Sequence, residues 1–152
     1  MKELMLLLVM SAFALNVSAQ TIVGTWKTID DETGKAKSIV KIYKNTKDGT
    51  YYGKIVELLN RAKGDEDPYC KECPKTDYRH NKRVIGMNII SKMKASSDVK
   101  TAKSGTIINP KNGKIYRCTM KVIEKGKKLE VRGSIPNFSF LGKTQTWIRV
   151  EK

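Results

Sequence analysis

The stretch from Thr106 to Ile135 constrains the fold of this chain more than any other part of the sequence. It holds three short apolar runs separated by two turn signals, Pro110–Gly113 and Glu124–Lys127. In the second and third runs, apolar and polar residues alternate with period two, which is typical of a strand with one buried face. The positions on that face are Tyr116, Cys118, Met120 and Val122, then Leu129, Val131, Gly133 and Ile135. Because proline and Asn-Gly favour tight turns, the stretch predicts an antiparallel meander.

Similar short runs elsewhere bring the prediction to about eight strands, with no long amphipathic helix. The additional strands are predicted at residues 22–29, 38–44, 51–59, 84–93 and 144–150. The inward face of the third strand stays open between two sets of residues: Tyr51, Gly53 and Ile55, or Tyr52, Lys54, Val56 and Leu58. Polar loops are predicted at residues 60–83 and 94–104, and a more apolar loop at 136–142.

The first and last predicted strands carry residues suited to joining the two ends of the meander. Gly24 and Trp26 lie in the first strand, and Arg149 lies in the last. If these strands pair, the Arg149 guanidinium can stack on the Trp26 indole and donate hydrogen bonds to nearby carbonyls. Closure also removes the unpaired edges of an open sheet. The expected fold is therefore an all-β, antiparallel up-and-down barrel of about eight strands.

Several segments match a known pattern over nearly all of the chain beyond residue 19. They are residues 24–31, 53–55, 85–87, 109–116, 131–133 and 142–149, together with Cys70 and Cys73. The Gly24-x-Trp26 and Arg149 pair resembles the calycin signature of lipocalins and fatty-acid-binding proteins. The whole set resembles the bacterial family called domain of unknown function twenty-one forty-seven, which are small secreted proteins with a lipocalin-like barrel. Asn109 and Lys143 depart from that family's usual Asp and Arg. The resemblance implies the barrel fold and no established activity.

The first nineteen residues have the character of a secretory signal. A basic start at Lys2, a short apolar run and the small residues Val17–Ala19 predict cleavage before Gln20. Residues 20–152 are then a single barrel domain, and the protein is expected in the periplasm or outside the cell.

Export also governs the interpretation of the cysteines. Cys70 and Cys73 are expected to form a disulfide, because two cysteines three apart oxidise readily in such compartments. Cys118 is expected to be a small buried hydrophobe, although a bridge from Cys118 to the loop stays open. Two alternatives to this interpretation are a redox pair and a metal site formed by Cys70, Cys73, His80 and Asp77. No metal and no cofactor is expected.

The charge is strongly positive, with 30 Lys and Arg against 15 Asp and Glu, a net +15. Such a field attracts anionic envelope surfaces weakly and without a defined site. A loop mixing aromatic and basic residues also suits single-stranded nucleic acid, but export disfavours that partner. Its residues are Tyr69, Tyr78, Arg79, His80, Lys82 and Arg83. With one histidine and no recognisable catalytic constellation, no enzymatic activity is expected.

The sequence favours a carrier of a small apolar or amphipathic ligand, because barrel mouths are common sites for such ligands. The predicted inward-facing ligand contacts are Tyr116, Met120, Val122, Leu129 and Val131. Phe138 and Phe140, with Leu141, are predicted to cover one mouth. The alternative is a packed barrel that acts through its surface, binding polyanions such as lipopolysaccharide or acidic glycans.

Overall fold

A computed structural model describes residues 20–151, and in it eight antiparallel strands follow one another around a closed barrel. The strands are β1 (Gly24–Ile29), β2 (Ala36–Lys44), β3 (Tyr51–Leu58), β4 (Asn88–Ala95), β5 (Thr101–Ile108), β6 (Ile115–Ile123), β7 (Lys128–Ile135) and β8 (Phe138–Arg149). Each strand pairs with the next, and β8 pairs with β1. The predicted all-β barrel is confirmed. The predicted signal segment, residues 1–19, lies outside the described residues.

The alternation that predicted the central meander is realised in β6 and β7. These strands pair over seven residues without a register shift, and Cys118, Met120, Leu129 and Val131 are each at most 3% exposed. Their polar neighbours along each strand point away from the bore. Burial of one face therefore stabilises this register, because a slip by one residue would expose all of these buried side chains.

The barrel closes where β1 meets β8, through the pairs Trp26–Arg149 and Lys27–Ile148. The Arg149 guanidinium carbon lies 4.0 Å from the centre of the Trp26 ring, and its nitrogens donate to the carbonyls of Thr21 and Val23 at 2.6 and 3.1 Å. The segment Thr21–Val23 crosses this end of the barrel, where the Ile22 amide donates to the Val99 carbonyl at 2.9 Å. We call this end, with the turns at residues 45–50, 96–100 and 124–127, the closed end.

The predicted polar loop at residues 94–104 is wrong, because β4 continues to Ala95 and β5 begins at Thr101. Lys92 and Ser104 have φ angles of 55° and 66°, and the pairing of β5 with β6 skips a register between Ala102 and Gly105. Such bulges interrupt the alternation of apolar and polar residues, which hides a strand from a period-two pattern. The strand predicted at 84–93 begins only at Asn88, because the chain turns at Gly86, which has a φ of 90°.

The predicted loop at residues 136–142 is also wrong. A two-residue turn, Pro136–Asn137, joins β7 to β8, and Ile135 pairs with Phe138 across it. Proline presets the first φ, and Asn137 takes a φ of 67°, which asparagine tolerates. Phe138, Phe140 and Leu141 therefore belong to a strand.

The open question about β3 is settled in favour of Tyr51, Gly53 and Ile55, which are buried. A Cβ at Gly53 would lie 3.2 Å from the Ile90 side chain, so glycine relieves a tight contact there. Beyond Ile55 the pairing of β3 with β2 shifts by one residue. Val40 pairs with Ile55, but Ile39 pairs with Glu57.

Candidate functional site

The bore of the barrel is packed solid toward the closed end. The side chains there are fully or almost fully buried: Trp26, Ile42, Met93, Leu129 and Trp147. Two indoles in so narrow a bore leave little free volume, which agrees with the filled interior common in eight-stranded barrels. A ligand has no room in this half.

Three of the predicted ligand contacts belong to this packed core. Met120, Leu129 and Val131 are 3%, 0% and 2% exposed, and the partly buried Val122 packs against the same cluster. The structure thus brings them together, but as neighbours in a core. Tyr116 is different, since it lies nearer the other end of β6 and remains partly exposed.

Inward-facing apolar residues remain partly exposed at the end opposite the closed end, which we call the open end. Ile107 pairs with the buried Ile90 on one side and with Tyr116 on the other, so both Ile107 and Tyr116 face the bore. Leu58 pairs with the buried Ser38 and faces the same way. Gly133 adds no side chain between them. We define the mouth as Leu58, Ile107, Tyr116, Gly133 and Gln145.

Polar groups form the floor of the mouth. The hydroxyls of Thr28 and Ser38 are 2.7 Å apart in a hydrogen bond, although both residues are buried. On the neighbouring strand β8, Nε1 of Trp147 donates to Oε1 of Gln145 at 3.1 Å. Every polar group of this floor therefore has a partner, which offsets the cost of its burial.

A carboxylate of the β1–β2 turn contacts β8 at the rim of the mouth. Oδ2 of Asp31 accepts hydrogen bonds from Nε2 of Gln145 at 2.7 Å and from Nζ of Lys143 at 2.9 Å. Burial acts to raise the pKa of Asp31, but the bonds from Lys143 and Gln145 outweigh it, and the pKa is lowered. The hydrogen bond with Asp31 raises the pKa of Lys143. This bridge spans β1 and β8 beyond the two residue pairs that join the strands.

The long connection between β3 and β4 is tied down beside the open end. Cys70 and Cys73 form the predicted disulfide and are 0% and 2% exposed. The Arg79 guanidinium pairs with the Asp77 carboxylate at 2.7 Å and donates to the Asn88 carbonyl at 3.1 Å. This buried pair raises the pKa of Arg79 and lowers that of Asp77, through their hydrogen bonds in both cases.

The proposed metal ligands have other partners. The two sulfurs are bonded to each other, Asp77 is held by Arg79, and Nδ1 of His80 lies 2.6 Å from the Cys73 carbonyl oxygen. Within residues 20–151, no three His, Cys, Asp or Glu side chains are grouped as a metal site requires. In the same range, no helix is long and apolar enough to cross a membrane.

The disulfide loop rests on the turn between β5 and β6. Gly113 has a φ of 70°, and a Cβ there would lie 1.8 Å from the Glu72 carbonyl oxygen. Cys118 does not bridge to this loop. It is a free thiol, 1% exposed, and burial raises its pKa to about 12.

Two clefts lie on the outside of the barrel. One, of about 470 Å³, lies between the turns at residues 45–50 and 96–100. The other has a volume of about 420 Å³. Its lining includes four residues of the loop considered for nucleic-acid binding, Tyr78, Arg79, Lys82 and Arg83, along with apolar neighbours. Arg79 is engaged with Asp77 and Arg83 with Asp67, so much of this charge is already neutralised.

Leu58, Ile107, Gln145 and Asp31 were missed as candidate site residues. Ile107 lies in a run that predicted a strand, and its position opposite Tyr116 follows once the register is known. Asp31 and Gln145 are 114 residues apart and meet only because the barrel closes.

The fold and the filled closed end define the class of protein as a lipocalin-like β-barrel. The family model described as "Uncharacterized protein conserved in bacteria (DUF2147)" matches residues 24–149, and the chain belongs to this family. The resemblance noted from the sequence is thereby confirmed.

One solved structure supports the same fold. It is described as protein HP1028 from the human pathogen Helicobacter pylori, which belongs to the lipocalin family. The identity is 24%, the TM-score is 0.69, and the match covers 86% of this chain and 83% of that one. No curated protein matches the chain.

Proposed function

We propose that this protein is an exported lipocalin-like binding protein, with no enzymatic activity, that holds a small amphipathic ligand in the mouth. The observation that carries the proposal is the contrast in burial along the bore. Leu58, Ile107 and Tyr116 face inward yet stay partly exposed at the open end, whereas Trp26, Leu129 and Trp147 nearer the closed end are sealed. Concave sites with apolar walls and a few polar groups are typical of ligand binding.

The packing limits the size of the ligand and suggests its chemistry. The packed core of Met120, Leu129 and Val131 lies beneath the mouth, so only a short apolar group fits. That group would contact Ile107 and Tyr116. The polar part would lie toward Lys143 and Asp31, whose ion pair is exposed enough to exchange one partner for a ligand group.

Export is supported by two features of the chain. The first nineteen residues have the pattern of a cleaved secretory signal. The Cys70–Cys73 disulfide is of a kind that persists in oxidising compartments. The periplasm or the extracellular space is therefore the proposed location.

The proposal is tested by titrating a fluorescent fatty-acid probe into the folded protein and into Gly133→Leu. A Cβ on Gly133 would meet Tyr116 and Ile107 at ordinary contact distances of 3.4 and 3.5 Å, so the added side chain extends into the mouth. We expect saturable binding by the wild type and at least about tenfold weaker binding by the variant, since filling the mouth removes the apolar contact.

The matched control is Thr119→Leu, which adds the same side chain on the exposed face of β6. It should bind the probe as the wild type does. If the wild type, folded by circular dichroism, binds no probe, the carrier proposal fails and the alternative of a packed surface-interaction protein is favoured. If Gly133→Leu binds unchanged, a ligand site exists but not in the mouth.

A further inference from the structure

The tip of the β7–β8 hairpin exposes a group of large apolar side chains. Ile135 is 44% exposed, Phe138 52%, Phe140 75% and Leu141 48%. The rings of Phe138 and Phe140 pack edge to face with centroids 6.1 Å apart. Exposed apolar side chains grouped in this way mark interaction sites, whereas apolar residues exposed singly are ordinary.

The tip is held in place by a bulge in β8. Ile135 pairs with Phe138, but Ser134 pairs with Gly142, so residues 139–141 lie opposite no residue of β7. The Arg132 guanidinium donates to the carbonyls of Ser139 and Phe140 at 3.2 and 3.5 Å. The bulge therefore directs Phe140 and Leu141 outward. Arg132 supplies the hydrogen-bond donors for the backbone carbonyls that the bulge leaves unpaired.

Gly142 allows β8 to rejoin β7 after the bulge. A Cβ at this position would lie 2.6 Å from the Gly133 carbonyl oxygen, and such a contact requires backbone movement. The exposed tip thus depends on Gly142 and Arg132.

Basic residues lie close to the tip on β6, β7 and β8. Arg132 on β7 and Lys143 on β8 belong to the hairpin, and Lys143 is paired with Asp31 of the β1–β2 turn. Arg117 on β6 lies opposite Ser134, one residue from the apolar group. Lys111 and Lys114 are exposed in the β5–β6 turn, which lies at the same end of the barrel.

We propose that this hairpin docks the protein on an anionic phospholipid bilayer, with Phe140 and Leu141 entering the interfacial layer. Apolar side chains flanked by basic ones bind such surfaces by adding burial to attraction for anionic headgroups. The hairpin lies at the open end, so docking brings the mouth close to the membrane. The docking itself does not rest on a ligand in the mouth.

The test is co-sedimentation with vesicles of phosphatidylcholine mixed with phosphatidylglycerol, and with phosphatidylcholine alone. We expect binding to the mixed vesicles only, weakened by salt. The double substitution Phe140→Ser and Leu141→Ser should lower the partition coefficient by at least about a hundredfold, since burying each side chain is worth about tenfold. Arg117→Gln with Lys111→Gln should lower it by about fivefold for each charge removed.

The matched control changes two exposed apolar residues of the barrel wall, Val56→Ser and Ile148→Ser, which are 40% and 38% exposed. This control should sediment as the wild type does. A tryptophan at the tip, Phe140→Trp, should add a blue-shifted emission that brominated lipid quenches, whereas Val56→Trp should not.

Equal vesicle binding by the hairpin variant and the wild type would overturn the proposal. So would a wild-type dimer, seen by sedimentation equilibrium without lipid, that the hairpin substitutions convert to a monomer, because the tip would then be covered by a second copy.

Discussion

The two ends of this barrel are built from the same strands but are occupied differently. At the closed end, Trp26 and Trp147 fill the bore, and Arg149 links the last strand to the N-terminal segment. At the open end, Ile107 and Tyr116 face the same bore and remain partly exposed, and the strands are bridged by the Asp31–Lys143 pair. One end is therefore sealed, and the other leaves apolar surface exposed.

The largest expected effect comes from truncating the packed end. Trp26→Ala should lower the free energy of unfolding by about 3–5 kcal/mol, because it leaves a large cavity. Tyr116→Ala should cost only about 1 kcal/mol, since its ring is already partly exposed. Denaturant unfolding of both variants measures the difference. Equal losses would mean that the mouth is as well packed as the closed end.

Removing the arginine that joins the strands should cost about 2 kcal/mol. Arg149→Ala leaves the carbonyls of Thr21 and Val23 without a donor and uncovers Trp26. Arg149→Lys keeps the charge but lacks the planar fork, so its unfolding free energy should fall between those of Ala and the wild type. Wild-type stability in both variants would show that closure does not depend on this side chain.

Opening the disulfide tests how firmly the loop at the open end is held. Cys70→Ser with Cys73→Ser should lower the free energy of unfolding by only about 2 kcal/mol. The loss is small because a disulfide that closes so short a loop removes little entropy from the unfolded chain. Limited proteolysis should then cut within residues 60–83 before it cuts the barrel. Reductant should destabilise the wild type but not this variant, and an equal response from both would contradict the assignment.

The smallest effect concerns the ion pair at the mouth. The pKa of Asp31 is lowered in the folded state, so its contribution to stability is present above its unfolded pKa, near 3.8, and is lost as pH falls through the folded value. Asp31→Asn should therefore cost less than about 1 kcal/mol at neutral pH, because the pair is largely exposed.

That small difference between Asp31→Asn and the wild type should vanish in strongly acidic solution, where the wild-type carboxylate is protonated. Unfolding curves over a pH series test it. A difference that grew on acidification would contradict the assigned direction of the pKa shift.

The sequence predicted the strands wherever alternation ran unbroken, as in β6 and β7. It failed at Lys92, Ser104 and residues 139–141, where bulges insert residues that a period-two pattern does not accommodate. These errors are local, and they left the strand count and the order of the barrel intact.

The candidate site was less predictable than the fold. Alternation identifies inward residues, but it does not say which of them are sealed and which are left exposed. Met120 and Tyr116 share a face of β6, yet only Met120 is buried. Met120 pairs with Val131, whose side chain covers it. Tyr116 lies beside Ile107 and Gly133, and the glycine has no side chain to cover it. The Asp31–Gln145 contact depends on closure alone.

Native mass spectrometry of the protein purified from its own host tests the binding site most directly, with Gly133→Leu purified in parallel. The wild type should carry a small amphipathic molecule that the variant has lost, while both retain the same charge-state distribution of a folded protein. A wild type with no bound molecule, or a variant that retains the same one, would contradict a ligand site in the mouth.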